Sequence, residues 1–282
     1  MEDDAVMKFG IFSKVFLKYP LDDALKKIAG LGFESIQFNF TNVGLPSLPQ
    51  SVEKHILEEI KDSCEKNEVN IAVISGTFNT LELDETKRKE NLSGFETVVK
   101  SAKTLGVPFV SISTGSFNQE DFWSPHPDNH TEKAWELLSK SIEAMLKVAE
   151  ENNVTIVFEP EQANVVSSAE DSLRLINLFD SKHLRVLYDP ANVVTIKDAD
   201  NQLEKIERTL EQLKDVISLA HCKDALVTDK EIKFAPVGKG TIPLVEYLRK
   251  LTKFYDGPII MHGLEEEDIE YALENLGLIE EK

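Results

Sequence analysis

Cysteine is nearly absent. Cys64 and Cys222 are the two in 282 residues, far apart and outside any CxxC pattern. Neither a disulfide framework nor a cysteine-built zinc site is signalled. Long apolar runs are lacking as well. None approaches the roughly 20 residues that a membrane-spanning helix needs. Residues 1–4 are acidic and do not begin a secretion signal. The expectation is a cytoplasmic protein with no membrane partner. Positive charge is in deficit: 31 Lys and Arg against 50 Asp and Glu give a formal charge of -19. Such a surface repels phosphate backbones, so nucleic acid is not an expected partner. A small anionic ligand stays open, because lining residues set the field inside a pocket. No GxGxxG follows the first strand-like run, which removes the main support for an open, dinucleotide-binding sheet.

What is present is alternation. Short apolar runs at 7–12, 35–40, 70–75, 109–114, 155–159, 185–189, 216–222 and 258–262 are separated by longer amphipathic segments. Helix starts are expected after Ser51, Thr131, Ser168 and Asp200, with Asp171 placed three residues after Ser168 as in a capping box. Eight strand–helix units argue for a parallel sheet with helical crossovers. Their number, in a chain near the typical barrel length of about 250 residues, favours closure into a single (β/α)8 TIM barrel spanning 1–282. The longest non-helical stretches, 115–130 and 223–240, follow strands four and seven, on the face where barrel enzymes build specificity.

The last four apolar runs each carry an ionisable residue at their end or one short of it: Glu159, Asp189, His221 and His262. A barrel puts these four at one mouth on consecutive staves. Two carboxylates with one or two imidazoles suit Mn, Zn, Co or Fe, whereas Mg prefers carboxylates and water. Singly, each has a plain alternative: an Asp before Pro caps a turn, and a His at a strand end is often a satisfied core residue. Glu161 lies two residues after Glu159, so strand parity keeps both on one face unless Pro160 ends the strand. Glu161 is a candidate acid/base, or else it orients Lys223 or a ligand. Lys223 shares the direction of His221 and would face an oxyanion or a phosphate, or pair with Glu159 or Asp224. Asn39, Ser75, Thr77, Asn79 and Thr114 sit near the ends of strands two to four. They suit a hydroxyl-rich ligand, although turn chemistry explains several equally well. In the loop after strand four, Trp123 is a candidate floor for a sugar ring and His126 a candidate contact. Gly238-Lys239-Gly240 offers either a phosphate-binding turn or a plain one.

These motifs resemble the xylose isomerase-like barrel superfamily of sugar isomerases and epimerases, which also includes endonuclease IV-type proteins. The likeness spans the chain and rests on Glu159, Asp189 with Asn192, and His221-x-Lys223-Asp224. Ser75-Gly-Thr-Phe-Asn79, Trp123-x-x-His126, Glu159-Pro-Glu161-x-x-Asn164 and His262-Gly-Leu are similar to an uncharacterised subgroup described as sugar phosphate isomerases or epimerases. The resemblance implies a divalent metal held by Glu159, Asp189, His221 and the strand-eight residue. It also implies substrate contacts from Asn164 and Asn192, and proton transfer through an enediolate of a sugar, sugar phosphate or related polyol ketone. One departure stands out: the family's epimerases carry a glutamate at the end of strand eight, as ligand and second acid/base, where this chain has His262. His262 is then a ligand or an acid/base in its own right. Two other functions stay open, a metal-dependent dehydratase or lyase and a sugar-binding barrel without turnover. Nuclease activity is disfavoured, since Asn39 and Ser75 stand where more histidines would be wanted. A homo-oligomer is compatible with all of these.

Overall fold

The computed structural model describes residues 7–278; the acidic segment 1–4 lies outside them. Each expected strand forms, within one or two residues of its expected bounds. β1 (Phe9–Phe12), β2 (Ser35–Phe38), β3 (Asn70–Ser75), β4 (Phe109–Ser113), β5 (Thr155–Glu159), β6 (Leu184–Tyr188), β7 (Ile217–Cys222) and β10 (Ile259–Met261) pair in parallel and close into a barrel. The helices of the crossovers wrap it, and the main core fills the layer between them and the outward faces of the strands. No helix among the described residues is long and apolar enough to cross a membrane.

The loop after β7 contains an element that the apolar pattern does not announce. β8 (Asp224–Val227) and β9 (Ile232–Ala235) form an antiparallel hairpin, separate from the barrel. Four-residue strands joined by a polar turn carry too few alternations to register as strands.

Two of the four expected caps form. Thr131 accepts from Ala134 N at the start of α4 (Glu132–Asn152), and Ser168 accepts from Asp171 N at the start of α5 (Ala169–Phe179). The other two do not. α2 (Lys54–Asn67) follows Glu53 and α7 (Gln202–Leu213) follows Asn201, neither with a side-chain cap. Near α7 the capping chemistry is used earlier, where Thr195 and Asp198 close a reciprocal capping box around a short 3-10 turn.

Strand parity explains how the barrel positions a site. Inside it, Ala72, Val73, Val157, Leu187, Leu219 and Ile260 form a separate apolar floor. Side chains two residues further along a strand point the same way, one pleat higher. One pleat above Val73, Val157, Leu187, Leu219 and Ile260 stand Ser75, Glu159, Asp189, His221 and His262. The apolar floor thus gives way to a polar layer at the carboxyl end of the strands. Register shifts between β2 and β3 and between β6 and β7 lie just below that layer, where such irregularities commonly re-aim side chains.

A candidate metal centre at the carboxyl end of the barrel

Asp189 follows β6 and is the N-cap of the short helix α6 (Pro190–Val193). Its Oδ1 caps that turn, accepting from Ala191 N at 2.8 Å and Asn192 N at 3.3 Å. The capping alternative therefore holds for one oxygen alone. Oδ2 is buried, has no hydrogen-bond partner and faces His221. Nδ1 of His221 lies 3.4 Å from Asp189 Oδ2 and 3.4 Å from Glu159 Oε1, and it too is buried without a hydrogen-bond partner. One ligand atom from each of the three residues falls within 4.8 Å of the others. Two buried polar atoms without partners beside a second carboxylate are costly as they stand, and a divalent cation would satisfy all three groups. The donor set of two carboxylates and one imidazole fits such an ion.

His262 is outside this set. Its ring lies against that of His221, with centroids 5.1 Å apart and planes 16° apart, and against Phe12 at 5.0 Å and 14°. An imidazole binds a cation in its own ring plane. Two stacked, nearly parallel rings cannot both direct a lone pair at one ion without one of them turning. The expected four-ligand set is thus three residues in this geometry. Burial, and then the positive charge of His221 and Lys223, holds His262 well below the usual histidine range. His262→Phe preserves the stack and should bind cation as tightly as the unaltered chain in isothermal titration calorimetry. A loss of about tenfold or more, 1.4 kcal/mol, would return His262 to the ligands.

Around the triad a cavity of about 380 Å³ opens to solvent. Glu159 Oε1 accepts from Asn192 Nδ2 at 2.7 Å, and Asn192 Oδ1 accepts from Lys223 Nζ at 3.3 Å. Lys223 also lies 3.7 Å from the ring centroid of Phe234 on the hairpin. Its ion pair with Glu159 or Asp224 does not form; Asn192 stands between Lys223 and Glu159. Glu161 is buried and lines the same cavity, so Pro160 has not broken the shared direction of the two glutamates. Burial first, then the charge of Glu159, pushes the Glu161 carboxyl up to about 8 against the pull of Lys223. For His221, burial lowers the imidazole, but Glu159 and Asp189 outweigh it and lift it to about 9. For Asp189, burial raises the carboxyl, but Lys223 and His221 overcome it and hold it below the usual carboxylate range.

A family model described as xylose isomerase-like TIM barrel matches residues 25–281. The chain belongs to that family. An uncharacterized protein of Methanocaldococcus jannaschii is 26% identical over 279 residues, spanning 98% of this chain and 89% of the relative. Among solved structures, the chain is similar to a 3-keto-D-glucoside 4-epimerase from E. coli, with a TM-score of 0.74 and 16% identity over 96% of this chain and 98% of the other. It is also similar to a D-tagatose 3-epimerase-like protein, with a TM-score of 0.74 and 21% identity over 96% of each chain. At these identities the likeness to the solved structures is one of fold.

In this xylose isomerase-like barrel the residues expected to contact substrate divide in two. Asn39, Ser75, Thr77, Trp123 and Asn192 line the cavity. Asn79, Thr114, His126 and Asn164 do not; they build the loops that frame it. Asn79 bonds Ser116 O and Leu81 N, Thr114 Oγ1 accepts from Val166 N, and Asn164 donates to Phe122 O. His126 Nδ1 accepts from Asp128 N at the head of a 3-10 turn. Asn79, His126 and Asn164 stand in the motifs that resemble the family's, and Thr114 at a strand end, but a polar residue just past a strand end serves the loop as readily as the ligand. Sequence reasoning passed over Gln37, Phe234 and Lys14, which do line the cavity. For Gln37 a signal existed: it is a polar residue inside an apolar run, in the same parity as Ser35 and Asn39.

The turn 238–240 is not a phosphate cradle. Gly238 N and Gly240 N both donate to Asp224 Oδ2, while Ala225 N and Ile242 N donate to Oδ1. The chain's own carboxylate fills the nest and ties the hairpin base to the segment before α8 (Leu244–Leu251). Asp224→Ala leaves four N–H groups without that acceptor. At about 1–3 kcal/mol for each that stays buried, a loss of about 3 kcal/mol or more is expected in urea unfolding. Gly240→Ala should act in the same direction, because a Cβ there would overlap the Asp224 carboxylate.

Proposed function

We propose that this chain is a divalent-metal-dependent isomerase or epimerase acting on a small polyhydroxylated carbonyl compound, a sugar or sugar phosphate. The observation that carries the reading is the convergence of Glu159, Asp189 and His221, with partnerless atoms of Asp189 and His221 facing one another, at the base of an open cavity that Glu161 also lines. The two-carboxylate, one-imidazole set suits Mn, Zn or Co better than Mg. A cation held there would act as a Lewis acid toward a substrate carbonyl.

The chain's own residues supply the rest. Glu159 is held by Asn192 and committed to the triad, which leaves Glu161 to take the proton from the carbon beside the carbonyl and to deliver it to the former carbonyl carbon on the same face, the hydroxyl proton passing to the former carbonyl oxygen. The ammonium of Lys223 faces the cavity beside Asn192, where it would stabilise negative charge developing on a substrate oxygen. Gln37, Asn39, Ser47, Ser75 and Thr77 offer hydrogen bonds to hydroxyl groups along one side. Phe122, Trp123 and Phe234 give the rim apolar surface against which a sugar face can lie. His262, stacked on His221, supplies a flat wall in place of a second carboxylate, so Glu161 alone would carry the proton along one face, which suits isomerisation; inversion at one carbon would need a second proton carrier on the opposite face.

Solvent exchange tests the reading. Metal-loaded protein in deuterium oxide should wash deuterium into the carbon beside the carbonyl of at least one member of a ketose and sugar-phosphate panel, followed by NMR, and metal-stripped protein should not. Bound metal with no exchange across the panel would defeat the proposal.

A further inference from the structure

Gln37 takes no part in the proton transfer described above, yet its side chain is buried at the barrel mouth and reaches across it. Its Oε1 lies 2.8 Å from Nε2 of His221, and its Nε2 donates to Ser75 Oγ at 3.0 Å. β2 and β7 are not neighbours: β1 and β10 stand between them. The contact is made across the lumen, past the rings of Phe12 and His262 that those two strands contribute to the stack on His221. His221 is thereby held at one ring nitrogen by Gln37 and on one face by His262. Its main-chain oxygen is held from behind by the hydroxyl of Tyr247 at 2.9 Å.

A cation taken up by the triad would displace the second proton that Glu159 and Asp189 favour on His221; the neutral imidazole left behind carries one N–H and one lone pair, and the partner at one nitrogen decides which atom has which. Nδ1 of His221 faces Glu159 and Asp189. A cation shared by the three residues needs the lone pair on Nδ1, which places the proton on Nε2. That proton needs an acceptor, and Gln37 Oε1 is there. A reversed amide would set an N–H against Nε2 and move the ring proton to Nδ1, between the carboxylates, where it would exclude the ion. Ser75 Oγ accepts the amide N–H in the orientation that sets the oxygen against His221.

We infer that Gln37 is a positioning residue, which holds His221 in its Nε2–H tautomer so that Nδ1 presents a lone pair between Glu159 and Asp189. The inference rests on the metal-dependent reading given above. Partners of this kind behind a ligating histidine commonly change metal affinity by about 10–100-fold when removed.

The test pairs Gln37→Leu with Gln37→Glu, which keeps an acceptor oxygen, and with Ser75→Ala, which frees the amide. Zn(II), Co(II) and Mn(II) affinities are measured by calorimetry on each full-length protein after circular dichroism confirms the fold. The Zn(II)-loaded unaltered protein, labelled with 15N-histidine, should show the proton of His221 on Nε2. Gln37→Leu should bind each metal about 10–100-fold more weakly, Ser75→Ala should shift in the same direction by less, and Gln37→Glu should retain the affinity. Should Gln37→Leu not fold, Ser75→Ala and Gln37→Glu still decide. Equal affinity in Gln37→Leu, a Gln37→Glu protein as weak as Gln37→Leu, or a proton on Nδ1 would overturn the role of Gln37 and leave the metal-dependent reading standing. Failure of the unaltered chain to bind any of the three metals would overturn both.

Discussion

Asp189→Asn should abolish the thermal stabilisation that a divalent cation confers on this barrel. The carboxylate is fully buried, its Oδ2 has no hydrogen-bond partner, and it stands 3.4 Å from the nitrogen of His221. With free cation at a hundred times its dissociation constant, binding to the folded chain alone stabilises it by about 2.7 kcal/mol. For a chain of this size that corresponds to a rise in melting temperature of roughly 5–10 °C. The asparagine variant keeps an oxygen for Ala191 N and Asn192 N, so α6 and the fold should survive. What it loses is the second anionic oxygen of the triad. Calorimetric melts of chelator-treated protein, with and without Mn(II) or Co(II), read this directly. An equal rise in both proteins would mean that the ion binds elsewhere.

Glu161→Gln is expected to leave that stabilisation intact and to remove turnover. The two glutamates are separated by one residue and differ in environment. Glu159 accepts from Asn192 and approaches His221 at 3.4 Å, whereas Glu161 is buried against the cavity and raised to about 8 by burial and by Glu159. A positioned carboxylate that moves a proton contributes on the order of 100- to 10,000-fold to the rate. Solvent deuterium exchange in the glutamine variant should fall by about that factor, roughly 3–5 kcal/mol of barrier, with metal affinity unchanged. Exchange at the unaltered rate would transfer the proton-carrying role to Glu159. A parallel loss of metal would place Glu161 among the ligands instead.

Much of this site could be read before the fold was known, for a definable reason. Strand direction alternates with period two, so Val157 and Glu159, Leu187 and Asp189, and Leu219 and His221 each had to share a face. A closed barrel then brings such neighbours together without any further information. Loop residues followed no such rule. Asn79, Thr114, His126 and Asn164 looked like their cavity-lining counterparts in type and spacing. Whether a polar side chain past a strand end turns toward the ligand or toward its own backbone depends on the path of the loop. The same holds for Gly238 and Gly240, whose N–H groups point at Asp224, fourteen and sixteen residues away.

His262 and Gln37 mark the boundary most clearly. The sequence by itself determined the alternation, the closure into eight staves and the carboxyl-end layer that contains Glu159, Asp189 and His221, because each of these follows from local periodicity. Tertiary structure alone decided that His262 stacks on His221 rather than joining the triad, and that Gln37 reaches His221 from 184 residues away. Ring orientation and cross-lumen contacts depend on which rotamers fit together once the barrel closes. That is a packing outcome shared among Phe12, Gln37, Ser75, His221 and His262, and no spacing within one segment encodes it.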